Sequence, residues 1–395
     1  MDNLLIPIVY ALLLFLMVLV LYYCGKEMAK TGKVFSKAGF IAILTFTLNE
    51  GLRFGRGIDY NGYGIAFERY ENGETIDKEF LYSIIIRFLI SADIPYQGLI
   101  FIQSFLFIVC LLLFLINYRD ILPIALPLFV LFSLGIFENL IRWFMGFSCI
   151  LLGLSQLVKG KHVIYYFILS SLSLLFHIGL LPIPILIYLI YRLKKIIVSP
   201  VISISVYVLT GLFLKTDVML YFVDYVNWLS MFIERADGYA NNAEKWLTSG
   251  ALGLSLNSFD SMLTLIYLIV IVWFGYRYLR INPKAYFVYN LFVVGFMIKP
   301  LANRIELLTR YNHCFYCFGA VMVAYLCVYN SKIIKELAVR IAMIAVVFAF
   351  HLNYFRRPFV NPQYYYLYVW DIGNRTYGSM HSLWIKGMLE DANRK

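Results

Sequence analysis

Apolar residues run through this chain in long uninterrupted blocks set apart by short charged clusters. The blocks do not alternate as a half-buried strand does, and they are too long for one, so lipid-exposed strands are excluded. "LLIPIVYALLLFLMVLVLYY" (4–23) and "LTLIYLIVIVWFGY" (263–276) carry no charge and approach or reach the length at which a helix crosses about 30 Å of hydrocarbon. The pattern predicts about twelve membrane helices, roughly 4–23, 36–52, 97–117, 121–137, 140–158, 163–177, 178–191, 200–215, 258–277, 285–300, 311–329 and 335–350. "FLYSIIIRFLI" (80–90) is too short to span and carries Arg87, which marks it as re-entrant or interfacial. No small-residue cleavage site follows the first run, so it reads as a retained helix. With no internal repeat or low-complexity linker, the expected organisation is one transmembrane domain over 1–350, with outer loops 53–96 and 216–257 and a tail over 351–395.

Composition agrees with this reading. The chain of 395 residues is 62% hydrophobic and 14% charged, with a mean hydropathy of +0.76, more apolar surface than a soluble core can bury. The expected fold class is therefore an all-α polytopic membrane protein. A net charge of +11 in such a chain reflects loops that hold orientation and calls for no nucleic acid. One set of connections holds fifteen basic residues (Lys26 to Lys37, Arg119, Lys159, Lys161, Arg192 to Lys195, Arg277 to Lys284, Lys332 and Lys335) against Glu27, Asp120 and Glu336, and that set faces the cytoplasm. The opposite connections, including 53–79, 216–257 and the tail, face outward. The six cysteines sit in or beside apolar runs, where Cys314-x-x-Cys317 behaves as small hydrophobes without a second ligand pair.

Outside the basic set, titratable groups near helix ends are few: Arg53, Arg56, Asp59, Glu138, Arg142, His177, Lys299, Arg304, Glu306 and Arg310. All fall on the outer face by an argument that used none of them, as the parts of one extracytoplasmic site would. Each also has a plainer reading. Arg142 follows Glu138 by four residues, the spacing of a helix-surface ion pair. Arg53 and Arg56 could snorkel to headgroups, and His177 could be a satisfied interface residue. Arg304 and Arg310 are six apart, about 240° on a helix, so one face cannot present both. Tyr60, Tyr63, Phe67 and Tyr70 share one face of an amphipathic helix, either an interfacial aromatic belt or, for Tyr60 and Tyr63, a sugar surface. Trp228 and Trp246 could stack on sugar rings from the 216–257 loop, which would lie over the outer face as a cover, or serve as interfacial anchors.

Several chemistries find no residues here. "GRGIDYNG" lacks dinucleotide spacing, and there is no Asp-x-Asp pair, no G-x-S-x-G elbow and no helically spaced histidine pair. What remains is outward arginine with one Asp and one His, and arginine's planar fork suits phosphate and diphosphate.

"LRFGRGIDYNGYGIAFE" (52–68) resembles the signature of EpsG-type, Wzy-like polysaccharide polymerases. "ENLIRWFMGFSCILLG" (138–153), "LFHIGLLPIPILI" (175–187) and "NRIELLTRYNHCF" (303–315) resemble their later segments in order, over about 40 to 330. The resemblance implies a multi-spanning bacterial inner-membrane enzyme related to the membrane-embedded glycosyltransferase folds (GT-C-related). Its implied function is to polymerise undecaprenyl-diphosphate-linked repeat units on the periplasmic or outer side. It implies diphosphate binding by Arg53, Arg142, Arg304 and Arg310, with Asp59 or His177 as base beside Arg142. No metal or other cofactor is expected. The implied partners are undecaprenyl-diphosphate-linked glycans, membrane lipids and a chain-length regulator. A lipid-linked oligosaccharide flippase and an O-antigen ligase are the competing readings. A flippase should carry cations deep in its helices, and here the helix centres are nearly charge-free.

Overall fold

A computed structural model describes residues 2–76, 78–193, 195, 197–213, 259–303, 306–360 and 367–393. In chain order its first helices are α1 (Asp2–Thr31), α2 (Lys37–Gly51), α3 (Ile58–Glu71), α4 (Phe80–Ser91), α5 (Gln97–Leu115), α6 (Leu122–Phe137), α7 (Ile141–Val158), α8 (Val163–Ser171), α9 (Pro182–Arg192) and α10 (Pro200–Phe213). The chain forms two compact units, Met1–Leu186 with His351–Lys395, and Ile187–Phe350.

In the first unit α1 lies against α2 and α6, α5 joins α2 to α7, and α7 carries α8. Ser36 starts α2 by accepting the Gly39 N–H at 3.3 Å, which satisfies one of the unpaired donors of the first turn. The most apolar window of α1 is 28% buried inside the protein, whereas that of α7 is 78% buried. An apolar helix that the protein does not cover needs hydrocarbon around it, so α1 is a lipid-facing wall and α7 a central post. That position explains how α7 tolerates Ser148 and Ser155, whose side chains meet the Phe144 and Leu152 carbonyls of their own helix.

In the second unit, helix Tyr286–Ala302 packs on α10, where Tyr207 stacks on Phe296 at 4.6 Å, and on helix Glu306–Tyr316. Gly295 allows that second approach, since a Cβ there would lie 2.6 Å from the Tyr316 nitrogen.

The protein is an α-helical polytopic membrane protein. Among the described residues six helices are long and apolar enough to span, and six more apolar helices are 10 to 17 residues long. Several boundaries differ from the sequence expectation. The block 163–191 breaks into α8, two 3-10 turns and α9 around His177, where Pro182 and Pro184 follow. The expected 311–329 span is present as Leu308–Val328, with a turn at Cys317 and Phe318 inside it, and the last span runs to Val360 instead of 350. A two-stranded sheet interrupts the all-α reading: β1 (Arg53–Phe54) pairs antiparallel with β2 (Leu367–Tyr368), Arg53 opposite Tyr368. The Val369 N–H extends this ladder to the Leu52 carbonyl at 2.9 Å. Tyr377 then packs on Phe54 at 5.3 Å and on Tyr96 at 5.2 Å. The C-terminal segment and the 53–79 stretch therefore meet at one end of this unit.

Candidate active site

The turn after α2 sends two arginines inward. Arg53 and Arg56 are both 0% exposed, in a cluster with Glu50 and Glu138. Arg56 Nη1 donates to Glu138 Oε1 at 2.7 Å and lies 3.6 Å from Glu50 Oε1. Arg53 Nη2 donates to Gln103 Oε1 at 2.7 Å, and its Nη1 lies 3.6 Å from Glu50 Oε2. Gln103 in turn donates to the Phe137 carbonyl at 2.8 Å. Aromatic faces complete the enclosure, with Phe137 4.9 Å from the Arg53 guanidinium and Tyr368 4.5 Å from that of Arg56. Two positive and two negative charges cancel here, the condition under which buried ions are tolerated. Burial pushes the Glu138 carboxyl up to about 7, with Arg56 offsetting part of the rise.

Gly57, at φ +89°, turns the chain into α3. A Cβ there would lie 2.9 Å from Asn139 Oδ1, the same oxygen that accepts the Asp59 N–H at 3.1 Å. Asp59 thus stands in the first turn of α3, partly exposed, with its backbone tethered to the turn that precedes α7.

Of Arg53, Arg56 and Arg142, it is Arg142 that reaches the surface, with 16% of its side chain exposed. Its Nε donates to the Tyr63 hydroxyl at 2.8 Å, and its Nη1 bonds Glu79. Glu79 also accepts the Ile178 N–H at 3.4 Å, next to His177. Burial raises the Glu79 carboxyl, but Arg142, backbone N–H groups and His177 outweigh that and hold it below the usual range. His177 Nδ1 accepts the Gly179 N–H at 3.1 Å, so the neutral ring carries its proton on Nε2 and presents a donor. Its ring meets Trp143 edge to face at 5.1 Å.

The structure thus links the segments of Tyr63, Glu79, Arg142 and His177. Arg310 sits in helix Glu306–Tyr316 of the second unit, and Arg304, Trp228 and Trp246 lie outside the described residues. Four expectations are corrected. Arg142 pairs with Glu79, not Glu138, because Glu138 is taken by Arg56. Arg56 does not snorkel to headgroups, being wholly enclosed. Tyr60 offers no sugar surface and no interfacial belt, since it is 0% exposed with its hydroxyl 3.0 Å from the Arg53 carbonyl. Arg53 likewise lies inside, away from any surface a ligand could touch.

Glu50 and Glu79 are the residues that sequence reasoning passed over. Glu50 is the last polar residue of an apolar run and sits three before Arg53, a helical ion-pair spacing that was available as a signal. Glu79 had no such cue, because its partner is 63 residues away.

A helical membrane protein with a charged site at one end of its first unit is the class these features define. The chain belongs to the EpsG family, whose model matches residues 37–369, and the match takes in β2. That family is associated with polysaccharide polymerase-like proteins. No curated protein and no solved structure matches the chain.

Proposed function

We propose that the protein polymerises undecaprenyl-diphosphate-linked oligosaccharide repeat units on the outer face of the bacterial inner membrane. The observation that carries this reading is the bonding of Arg142 to Tyr63 and Glu79, and of Glu79 to the His177 turn, which joins three family motifs at one surface. In the reaction, a sugar hydroxyl of one lipid-linked unit attacks the anomeric carbon of the other. The new glycosidic C–O bond forms as the bond to diphosphate breaks and its electron pair leaves on the phosphate oxygen. Arg142 stabilises that growing charge more in the transition state than in the ground state, which is what accelerates the step. Asp59 takes the hydroxyl proton, since His177 Nδ1 is already engaged, and His177 donates from Nε2. Arg53 and Arg56, matched by their glutamates, hold the turn that aims Asp59. Arg304 and Arg310 supply further diphosphate contacts, and Tyr63 and the tryptophans of the 216–257 loop contact sugar.

Deletion of the gene in its host tests this reading. Surface glycolipid capped with single repeat units supports a polymerase. Glycolipid with none identifies a flippase or ligase and refutes the proposal.

A further inference from the structure

Every buried or half-buried arginine described in the first unit has a carboxylate: Glu50 and Glu138 serve Arg53 and Arg56, and Glu79 serves Arg142. The second unit contains a basic group on different terms. Lys299 lies in the last turn of helix Tyr286–Ala302, four residues after Gly295, and therefore on the face that packs against helix Glu306–Tyr316. Its Nζ is 4.6 Å from the centre of the Tyr316 ring. His313 meets the same ring edge-on, at 6.3 Å and 88°. Arg310 precedes His313 by three residues, on the same side of that helix. Among the described residues no carboxylate lies within 4.0 Å of Lys299 or His313.

A lysine that snorkels to headgroups points away from neighbouring helices, whereas this one turns onto a tyrosine of the adjacent helix. An aromatic face contributes about 0.5–2 kcal/mol toward an ammonium, less than the several kcal/mol that taking an ion out of water between packed helices costs. The shortfall is what a bound anion would supply. The polymerisation proposed above, on which this step rests, engages two lipid-linked glycans, each with its own diphosphate, and Arg142 is assigned to the one that leaves.

We propose that Lys299 and His313, with Arg310, form a phosphoryl-binding subsite that takes the diphosphate of one prenyl-diphosphate glycan. Tyr316 sets the spacing of the two basic groups, and the close packing at Gly295 holds the two helices in register.

The test is binding of geranyl diphosphate to the full-length protein in phosphatidylcholine nanodiscs. Lys299→Met should weaken the Kd by about tenfold or more, the loss of a charge-assisted contact. Lys299→Arg should stay within about threefold, and His313→Gln should weaken binding by a few-fold, about half a charge-assisted bond. Unchanged binding by folded Lys299→Met overturns the proposal, as does equal binding of geraniol. If Lys299→Met is not recovered from the membrane, His313→Gln decides, and full affinity there overturns it. Displacement of geranyl diphosphate by phosphatidylglycerol in the nanodisc would assign the subsite to lipid headgroups and overturn the substrate role. Glu306→Gln closes the remaining route: tighter binding on its removal would make Glu306 the counter-charge and the site internally neutral, which also overturns it. Because the readout is binding and not polymer, a negative result leaves the polymerase reading standing, and a failed gene-deletion test leaves diphosphate binding measurable.

Discussion

Arg56 Nη1 sits 2.7 Å from Glu138 Oε1, across 82 residues of chain, with the arginine side chain wholly enclosed and the glutamate side chain 11% exposed. Removing one partner leaves the other as an uncompensated buried charge. Arg56→Ala should therefore cost about 3–5 kcal/mol and deplete folded protein, although Arg56 touches no substrate. An Arg56→Met, Glu138→Leu double variant should be milder than either Arg56→Ala or Glu138→Leu alone, because no lone charge remains. Thermal unfolding of the detergent-purified proteins measures both, and an Arg56→Ala protein as stable as the parent would show that the pair is not buried.

The same pair predicts a pH dependence. Glu138 titrates near 7 in the folded protein against 4.5 for the free carboxyl. Between those values the folded state holds a proton that the unfolded state has released. Stability should therefore fall as pH rises from about 4.5 to about 7, by at most about 1.4 kcal/mol per unit from this group. Glu79, held below 4.5, acts with the opposite sign and only at lower pH, where stability is lost as pH falls. Thermal melts across pH 5 to 7.5, read in Glu138→Gln against the parent, should show the slope flattened, and an unchanged slope would assign it to another group.

Much of the fold was legible because hydrophobic length is a local signal. The charge-free runs located α1, α5 and the helix Phe259–Leu279. Tertiary pairing is not local. Arg142 followed Glu138 at helical spacing, yet the α6–α7 turn falls between them, so the spacing never became a shared helix face. The period of Tyr60, Tyr63, Phe67 and Tyr70 correctly implied a helix with an aromatic face, but not what covers it. Tyr60 and Phe67 face a core built with Tyr96 and Ile141, which periodicity alone cannot distinguish from a bilayer surface. The strand pair β1–β2 joins residues more than 300 apart and left no local mark at all.

The strand pair makes a topological prediction. Cysteines placed at the exposed positions Asn72 and Asn374, in a background without native cysteines, should both react with a membrane-impermeant thiol reagent in spheroplasts. Lys161→Cys should not. Labelling at Asn72 with protection at Asn374 would place the tail on the other side and break the pairing of Arg53 with Tyr368.

Arg142 serves Tyr63 through Nε and Glu79 through Nη1, two directions that a lysine cannot supply at once. Arg142→Lys should therefore lose most polymer while remaining in the membrane at parental level. Lysine supporting parental polymer would reduce Arg142 to a point charge.

The choice of base rests on one hydrogen bond. Because His177 Nδ1 accepts the Gly179 N–H, its other nitrogen carries the proton and has no lone pair for a sugar hydroxyl. Asp59, partly exposed and with its backbone N–H on Asn139 Oδ1, places a carboxylate in the first turn of α3. Asp59→Asn preserves the shape and removes the acceptor, so polymerisation in membranes loaded with lipid-linked repeat units should slow by about 10²–10⁴. His177→Gln keeps both an acceptor for Gly179 and a donor beyond it, and should retain a substantial fraction of the rate. Both variants should insert normally, which the amount of full-length protein in the membrane fraction checks. The reverse pattern, with His177→Gln inactive and Asp59→Asn active, would make the imidazole the base and require the Gly179 contact to open during turnover.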